Sequence, residues 1–139
     1  MQPVMSVSEV QGLLEDVFPE AIERYKIREV SSMGALMEKP FNKRDLRPGG
    51  TLSGPSMFEL ADISFYVAAL GMIGPKALTV TTSASINFMR KPEAVGMWAE
   101  ARILKLGRAL IVGDVLMYSD ALEKPVAHAN ITYSIPPKG

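Results

Sequence analysis

Residues 55–73, PSMFELADISFYVAALGMI, are apolar on every side of a helical wheel. Pro55 suits a first helical position, and Gly71 and Gly74 suit the far end. A helix without a polar face is buried all round, so the rest of the chain must wrap it. Downstream the period changes from helical to alternating. In residues 78–89, Val80, Thr82, Ala84, Ile86 and Phe88 form one face, and Thr81, Ser83, Ser85 and Asn87 the other. Residues 97–106, 109–118 and 125–134 predict three more strands, joined by turns at 106–108 and 119–124. Connections this short require antiparallel neighbours.

Upstream, Ser6 or Ser8 can cap a helix that carries Val10, Leu13, Leu14 and Val17 on one face, with Pro19 either ending it or re-starting a short turn. Residues 26–39 predict a strand bent at Gly34. Residues 40–54, PFNKRDLRPGGTLSG, form a long loop, and a loop of that length in a small domain usually carries function or is disordered. The expected fold is α+β: one domain, residues 1–139, in which a curved antiparallel sheet wraps one long buried helix.

Composition narrows the chemistry. The 139 residues hold 15 Lys+Arg against 15 Asp+Glu, a neutral balance that argues against nucleic acid as a partner. The absence of Cys excludes disulfides, thiolate metal sites and a cysteine nucleophile, and a single His makes a His-based metal centre improbable. No metal or cofactor is expected. The apolar segment holds Glu59 and Asp62 near its middle, where a membrane span rarely tolerates charge, and the N-terminus lacks a signal-peptide pattern. The expectation is a cytoplasmic protein that does not enter a membrane.

Four blocks, GGTLSGPSMFELAD, VTTSASINFMRKP, LKLGR and AHANITYS, resemble the hotdog-fold acyl-CoA thioesterases of the phenylacetate-degradation type, within the 4-hydroxybenzoyl-CoA thioesterase superfamily. The resemblance spans roughly residues 45–134. It implies a hotdog fold, a homodimer or dimer of dimers, and hydrolysis of acyl-CoA thioesters. The family's usual block reads Gly-Thr-x-His-Gly-Gly before the helix. Here Ser53 stands at the His position, Gly54 matches, and Pro55 replaces the second Gly. Asp62 matches the family's catalytic carboxylate, Arg47 stands where relatives carry Asn or Gln, and Thr81 falls where some relatives place a hydroxyl that holds water.

These positions make chemical sense. A carboxylate on an apolar helix carries a desolvation penalty unless something compensates it, so Asp62 is either a base or a structural acid tied to a neighbour. Glu59, one turn earlier, is its competitor, read as a helix-end charge. Gly54 offers a free N–H at a helix start, where a thioester carbonyl becoming an oxyanion is stabilised, and the same Ser-Gly-Pro sequence also caps a helix. Ser53 can orient that loop. Eight residues of helix separate Gly54 from Asp62 by about 12 Å, so one carbonyl cannot touch both. A working site therefore takes Gly54 from one chain and Asp62 from another, across a twofold axis. Thr81 can hold the attacking water.

Arg90, Lys91, Lys105 and Arg108 are candidates for the phosphates of CoA and are expected to gather at the sheet rim, and Arg47 is a candidate either for a phosphate or for an acid on the acyl group. Phe58, Phe65, Tyr66 and Trp98 suit core or dimer packing, and Tyr66, one turn beyond Asp62, is placed to line an acyl pocket. His128 reads as structural. Besides thioester hydrolysis, two readings stay open: an acyl-CoA or apolar-acid binding protein without turnover, and a hydratase, which would need an Asp/His pair.

Overall fold

The computed structural model describes residues 1–137. Ser6 starts the first helix, α1 (Val7–Val17), through a reciprocal pair of bonds. Its hydroxyl accepts the Glu9 N–H at 3.2 Å, and the Glu9 carboxylate accepts the Ser6 N–H at 3.0 Å. Val10 and Leu14 are fully buried, while Val17 and Phe18 stay at the surface beside a short second helix, α2 (Pro19–Ile22).

Residues 26–39 form two strands, not the single bent one expected. β1 (Lys26–Ser31) and β2 (Gly34–Lys39) pair antiparallel through a tight turn at Ser32 and Met33. Met33, the second of the two turn residues, takes the left-handed conformation, φ 60°, and Gly34 opens the second strand. A single 3-10 turn, Lys43–Asp45, lies in the long loop that follows. The buried helix is α3 (Gly54–Ile73), and then come β3 (Val80–Phe88), β4 (Met97–Leu106), β5 (Leu110–Ser119) and β6 (Ala127–Ser134).

The six strands form one antiparallel sheet in the order β1-β2-β4-β5-β6-β3, curled around α3. Phe65 of α3 lies so close over Gly113 of β5 that a Cβ there would come within 2.5 Å of its ring, so this position admits only glycine. α3 is long and apolar enough to cross a membrane, but it is the core helix of this sheet and most of it is buried. It is not buried on every side. Pro55, Phe58 and Glu59 are exposed and Asp62 is half-buried, so one stripe of its first turns stays open.

The alternation in β3 slips. A bulge between Thr81 and Ser83 turns Thr81 inward with Ala84 and Ile86, and leaves Val80 and Thr82 facing out. β3 is an edge of the sheet, and it exposes Val80 (53%) and Phe88 (51%). On the opposite, outer face of the sheet Trp98 stacks on Tyr118, with ring centroids 4.1 Å apart. Trp98 therefore packs neither in the core nor near α3.

Candidate active site

The start of α3 is held by a network that the sequence pattern did not reveal. Lys39 and Asp45, both buried, form an ion pair. The Asp45 carboxylate also accepts the Ser56 hydroxyl at 3.1 Å, and its carbonyl accepts the Ser53 N–H at 2.8 Å. The Ser53 side chain accepts the Ser56 N–H at 3.3 Å and donates to the Ser56 hydroxyl at 2.9 Å. Ser53 is thus the N-cap of α3. Among the described residues no acceptor meets the Gly54 N–H. Gly54 lies in a groove of about 320 Å³ with Arg47, Phe88, Arg90 and Lys91 in its walls. The Phe88 ring sits 3.3 Å from where a Gly54 Cβ would be.

Asp62 opens instead onto a larger cavity of about 840 Å³, on the exposed stripe of α3. Phe18, Phe58, Ile63, Tyr66 and Leu78 make its walls mostly apolar. Within it, Asp62 Oδ1 accepts the Thr81 hydroxyl at 2.6 Å. The Tyr133 hydroxyl lies 2.8 Å from the same oxygen and 2.9 Å from the Asp62 carbonyl. Burial, and then the nearby Asp62 charge, raise the Tyr133 phenol well above its ordinary value, so it stays a donor. The Tyr133 ring is packed by Phe65 and Tyr66. Burial raises Tyr66 as well; its hydroxyl donates to the Ala77 carbonyl at 2.6 Å, which leaves only its ring to face the cavity. The Thr81 hydroxyl donates to Asp62 itself, and its oxygen keeps lone pairs that can accept from a water.

Glu59 lines the same cavity but both its oxygens are taken. Arg24 Nη2 lies 2.6 Å from Oε2, and the Tyr25 hydroxyl donates to Oε1 at 2.5 Å. Burial and that bond to Glu59 raise the Tyr25 phenol. His128 is also committed elsewhere. Its Nε2 lies 2.9 Å from Asp114 Oδ2, and Arg102 grips both oxygens of Asp114 at 3.0 and 2.8 Å. Strand alternation puts these three on the outer face of the sheet, with the sheet itself between them and Asp62.

The basic candidates divide. Arg47, Arg90 and Lys91 share the Gly54 groove, although Arg90 donates to the Pro125 carbonyl at 2.6 Å. Lys105 is level with Val112, Thr132 and Ser83 across the sheet, and Arg108 lies in the turn beyond it. That is the Val80 end of β3, whereas Arg90 and Lys91 follow its Phe88 end. The four do not meet at one rim within a chain.

Tyr133 is the functional candidate that the sequence reading passed over. The available signal was its place on the inward face of a strand, with Ala127, Ala129 and Ile131, because a buried tyrosine hydroxyl needs a partner. Among the described residues no group of His, Asp or Glu is arranged to hold a metal ion.

Comparison with known proteins adds to this geometry. A family model described as the thioesterase superfamily matches residues 49–134. A protein of Saccharolobus solfataricus named "Putative esterase" is 31% identical over 121 residues, covering 84% of this chain and 77% of its own length. A crystal structure from Silicibacter sp., described as a putative thioesterase, is 46% identical, with TM-score 0.90 over 99% of this chain and 96% of that one. The Escherichia coli PaaI protein, from the phenylacetic acid degradation operon, shares the fold at 20% identity, with TM-score 0.77 over 95% of this chain and 97% of its own.

Proposed function

Because the chain belongs to the thioesterase superfamily and has its hotdog fold, we propose that it hydrolyses an acyl-CoA, or a related acyl thioester, at a site shared by two copies of the chain. One observation carries this reading. β3 has Asp62 beside its first residues, bonded to Thr81, and Gly54 beside its last residue, under Phe88. It is also an unpaired edge with exposed apolar side chains, the kind of edge that natural proteins cover. Antiparallel pairing of β3 with its own copy reverses one strand against the other. That pairing brings Gly54 of each chain towards Asp62 of its partner, and generates two identical sites.

In each such site the two chains supply different chemistry. The cavity around Asp62 accepts an apolar acyl group between Phe58, Ile63 and Tyr66. The partner's groove supplies the Gly54 N–H to the thioester carbonyl, where it stabilises the oxyanion that forms. The same groove offers Arg47 and Lys91, which have no ion-pair partner among the described residues, to the phosphates of CoA. Asp62 takes a proton from water as the water oxygen bonds to the carbonyl carbon. Collapse of the tetrahedral intermediate breaks the C–S bond, and the departing thiolate takes up a proton. A thiolate leaves readily, so the site works without a histidine at position 53. In a second route Asp62 attacks the carbonyl itself and the C–S bond breaks to release the thiolate, and water then attacks the Asp62 carboxyl carbon of the mixed anhydride, freeing the product acid and regenerating the carboxylate. Single turnover in oxygen-18 water separates the two, because only the second leaves label in the protein.

The test is release of free thiol from a panel of acyl-CoAs that spans short, long and aromatic acyl groups. Turnover by the wild type, abolished by Asp62→Asn, supports the reading. Tight binding with no turnover across the panel would replace it with a binding function.

A further inference from the structure

We propose that Tyr133 and Thr81 act together as positioning residues that hold Oδ1 of Asp62, so that Oδ2 is the oxygen that reacts. The proposal rests on the hydrolytic reading above and goes further, by naming the reacting atom and a residue on the last strand that directs it.

The geometry is specific. The Thr81 hydroxyl, from β3, and the Tyr133 hydroxyl, from β6, both reach Oδ1, at 2.6 and 2.8 Å. Oδ2 receives no hydrogen bond from the described residues. Two donors on one oxygen fix the plane of the carboxylate as well as its position, because the bonds come from different strands of the sheet. The Tyr133 proton has two acceptors within reach, Oδ1 and the Asp62 carbonyl. The carboxylate is the stronger of the two, since a charged acceptor makes the shorter and stronger bond. The carbonyl belongs to the interior of α3, where the helix supplies a donor of its own.

Both clamps are rigid. The Tyr133 ring is buried to 3% exposure between Phe65 and Tyr66, and it cannot swing away without opening the core. Thr81 is turned inward only because the chain bulges between Thr81 and Ser83. Without that extra residue the alternation of β3 would direct the Thr81 side chain to the other face. The bulge is therefore part of the site, in keeping with the placement of bulges where a side chain must be re-aimed. The donors are uncharged, and this matters. A cation in their place would form an ion pair and hold the carboxylate inert, as Arg24 does with Glu59 one turn away.

The titratable groups that face Asp62 are Tyr133 from β6 and Tyr66 and Glu59 from α3. Tyr133→Phe keeps the ring and its packing and removes only the donor. The proposal predicts that kcat falls roughly ten- to a hundredfold, the loss expected for a hydrogen bond to a charged group, while KM changes little. Thr81→Val should do the same, and Thr81→Ser, which restores the hydroxyl, should recover most of the rate. Thermal midpoints measured alongside identify any variant whose loss is one of folding, and the Thr81 pair then decides in place of Tyr133→Phe. If Asp62→Asn is inactive but Tyr133→Phe and Thr81→Val match wild type in kcat, the clamp is wrong and the hydrolytic reading stands. If Asp62→Asn is fully active, it is the hydrolytic reading that fails.

Discussion

Glu59 and Asp62 stand one turn apart on α3, in the wall of the same cavity, and what distinguishes them is what holds them. Glu59 is the more exposed, yet a guanidinium and a phenol occupy both of its oxygens. Asp62 is half-buried and meets only neutral hydroxyls, both on one oxygen. Exposure alone would select Glu59 as the available acid. Partner inventory selects Asp62, because a carboxylate with a free oxygen and no counter-charge is the one that can accept a proton. Asp114 on the outer face makes the same point from the other side: Arg102 and His128 saturate it, and it has a structural role.

The sharpest way to break the comparison is to neutralise each acid in turn. Asp62→Asn should lower kcat/KM by a factor of about 10³ or more, since in the proposed mechanism it removes the group that activates water. Glu59→Gln should leave the rate within a few-fold and cost less than about 1 kcal/mol of stability, as expected for a solvent-exposed ion pair. Steady-state thiol release and chemical denaturation measure the two. Equal losses of rate in both variants would erase the distinction.

Next in size is the loss of the helix-start donor. Gly54→Pro deletes the N–H at a position where proline suits a first helical turn, and should reduce kcat by roughly 10²- to 10³-fold. Gly54→Ala keeps the N–H and needs Phe88 to give only a few tenths of an ångström, so it should retain most of the activity. The smallest effect concerns stability alone. Burial works to raise the Asp114 carboxyl, but the Arg102 bond, then His128, outweigh it and hold the group below its ordinary value of 3.8. A lowered value means that the unfolded chain protonates first as the pH falls. The contribution is therefore complete above about pH 4 to 5 and fades as the pH drops through the folded-state value. Urea midpoints recorded from pH 6 to 2.5 should fall less steeply for Asp114→Asn than for the wild type.

The parts of this molecule that follow periodicity were legible in its sequence. The fully apolar run gave α3, and β4, β5 and β6 follow from alternation with short turns. What periodicity cannot express was not legible. The β1–β2 turn places Met33 in a conformation usually left to glycine or asparagine, so no turn residue announced it. The bulge at Thr82 adds one residue, and reverses the inward and outward positions at the start of β3 relative to strict alternation. The Lys39–Asp45 pair is an interior contact between a strand end and a loop, of a kind that neither residue's neighbours encode. In the site, Asp62, Gly54 and Thr81 were visible through a family resemblance. Tyr133 was not, because its hydroxyl reaches Asp62 from a strand 71 positions further along the chain.

The central claim is that each site takes its acid from one chain and its amide donor from another. Mixing two inactive variants, Asp62→Asn and Gly54→Pro, after denaturation and joint refolding tests it most directly. A mixed dimer then holds one site with both defects and one with neither. With random pairing half of the dimers are mixed, so the account predicts recovery to about one quarter of wild-type specific activity. A refolded mixture that stays as inactive as its two components, although size-exclusion chromatography shows that the dimers have exchanged, would contradict it.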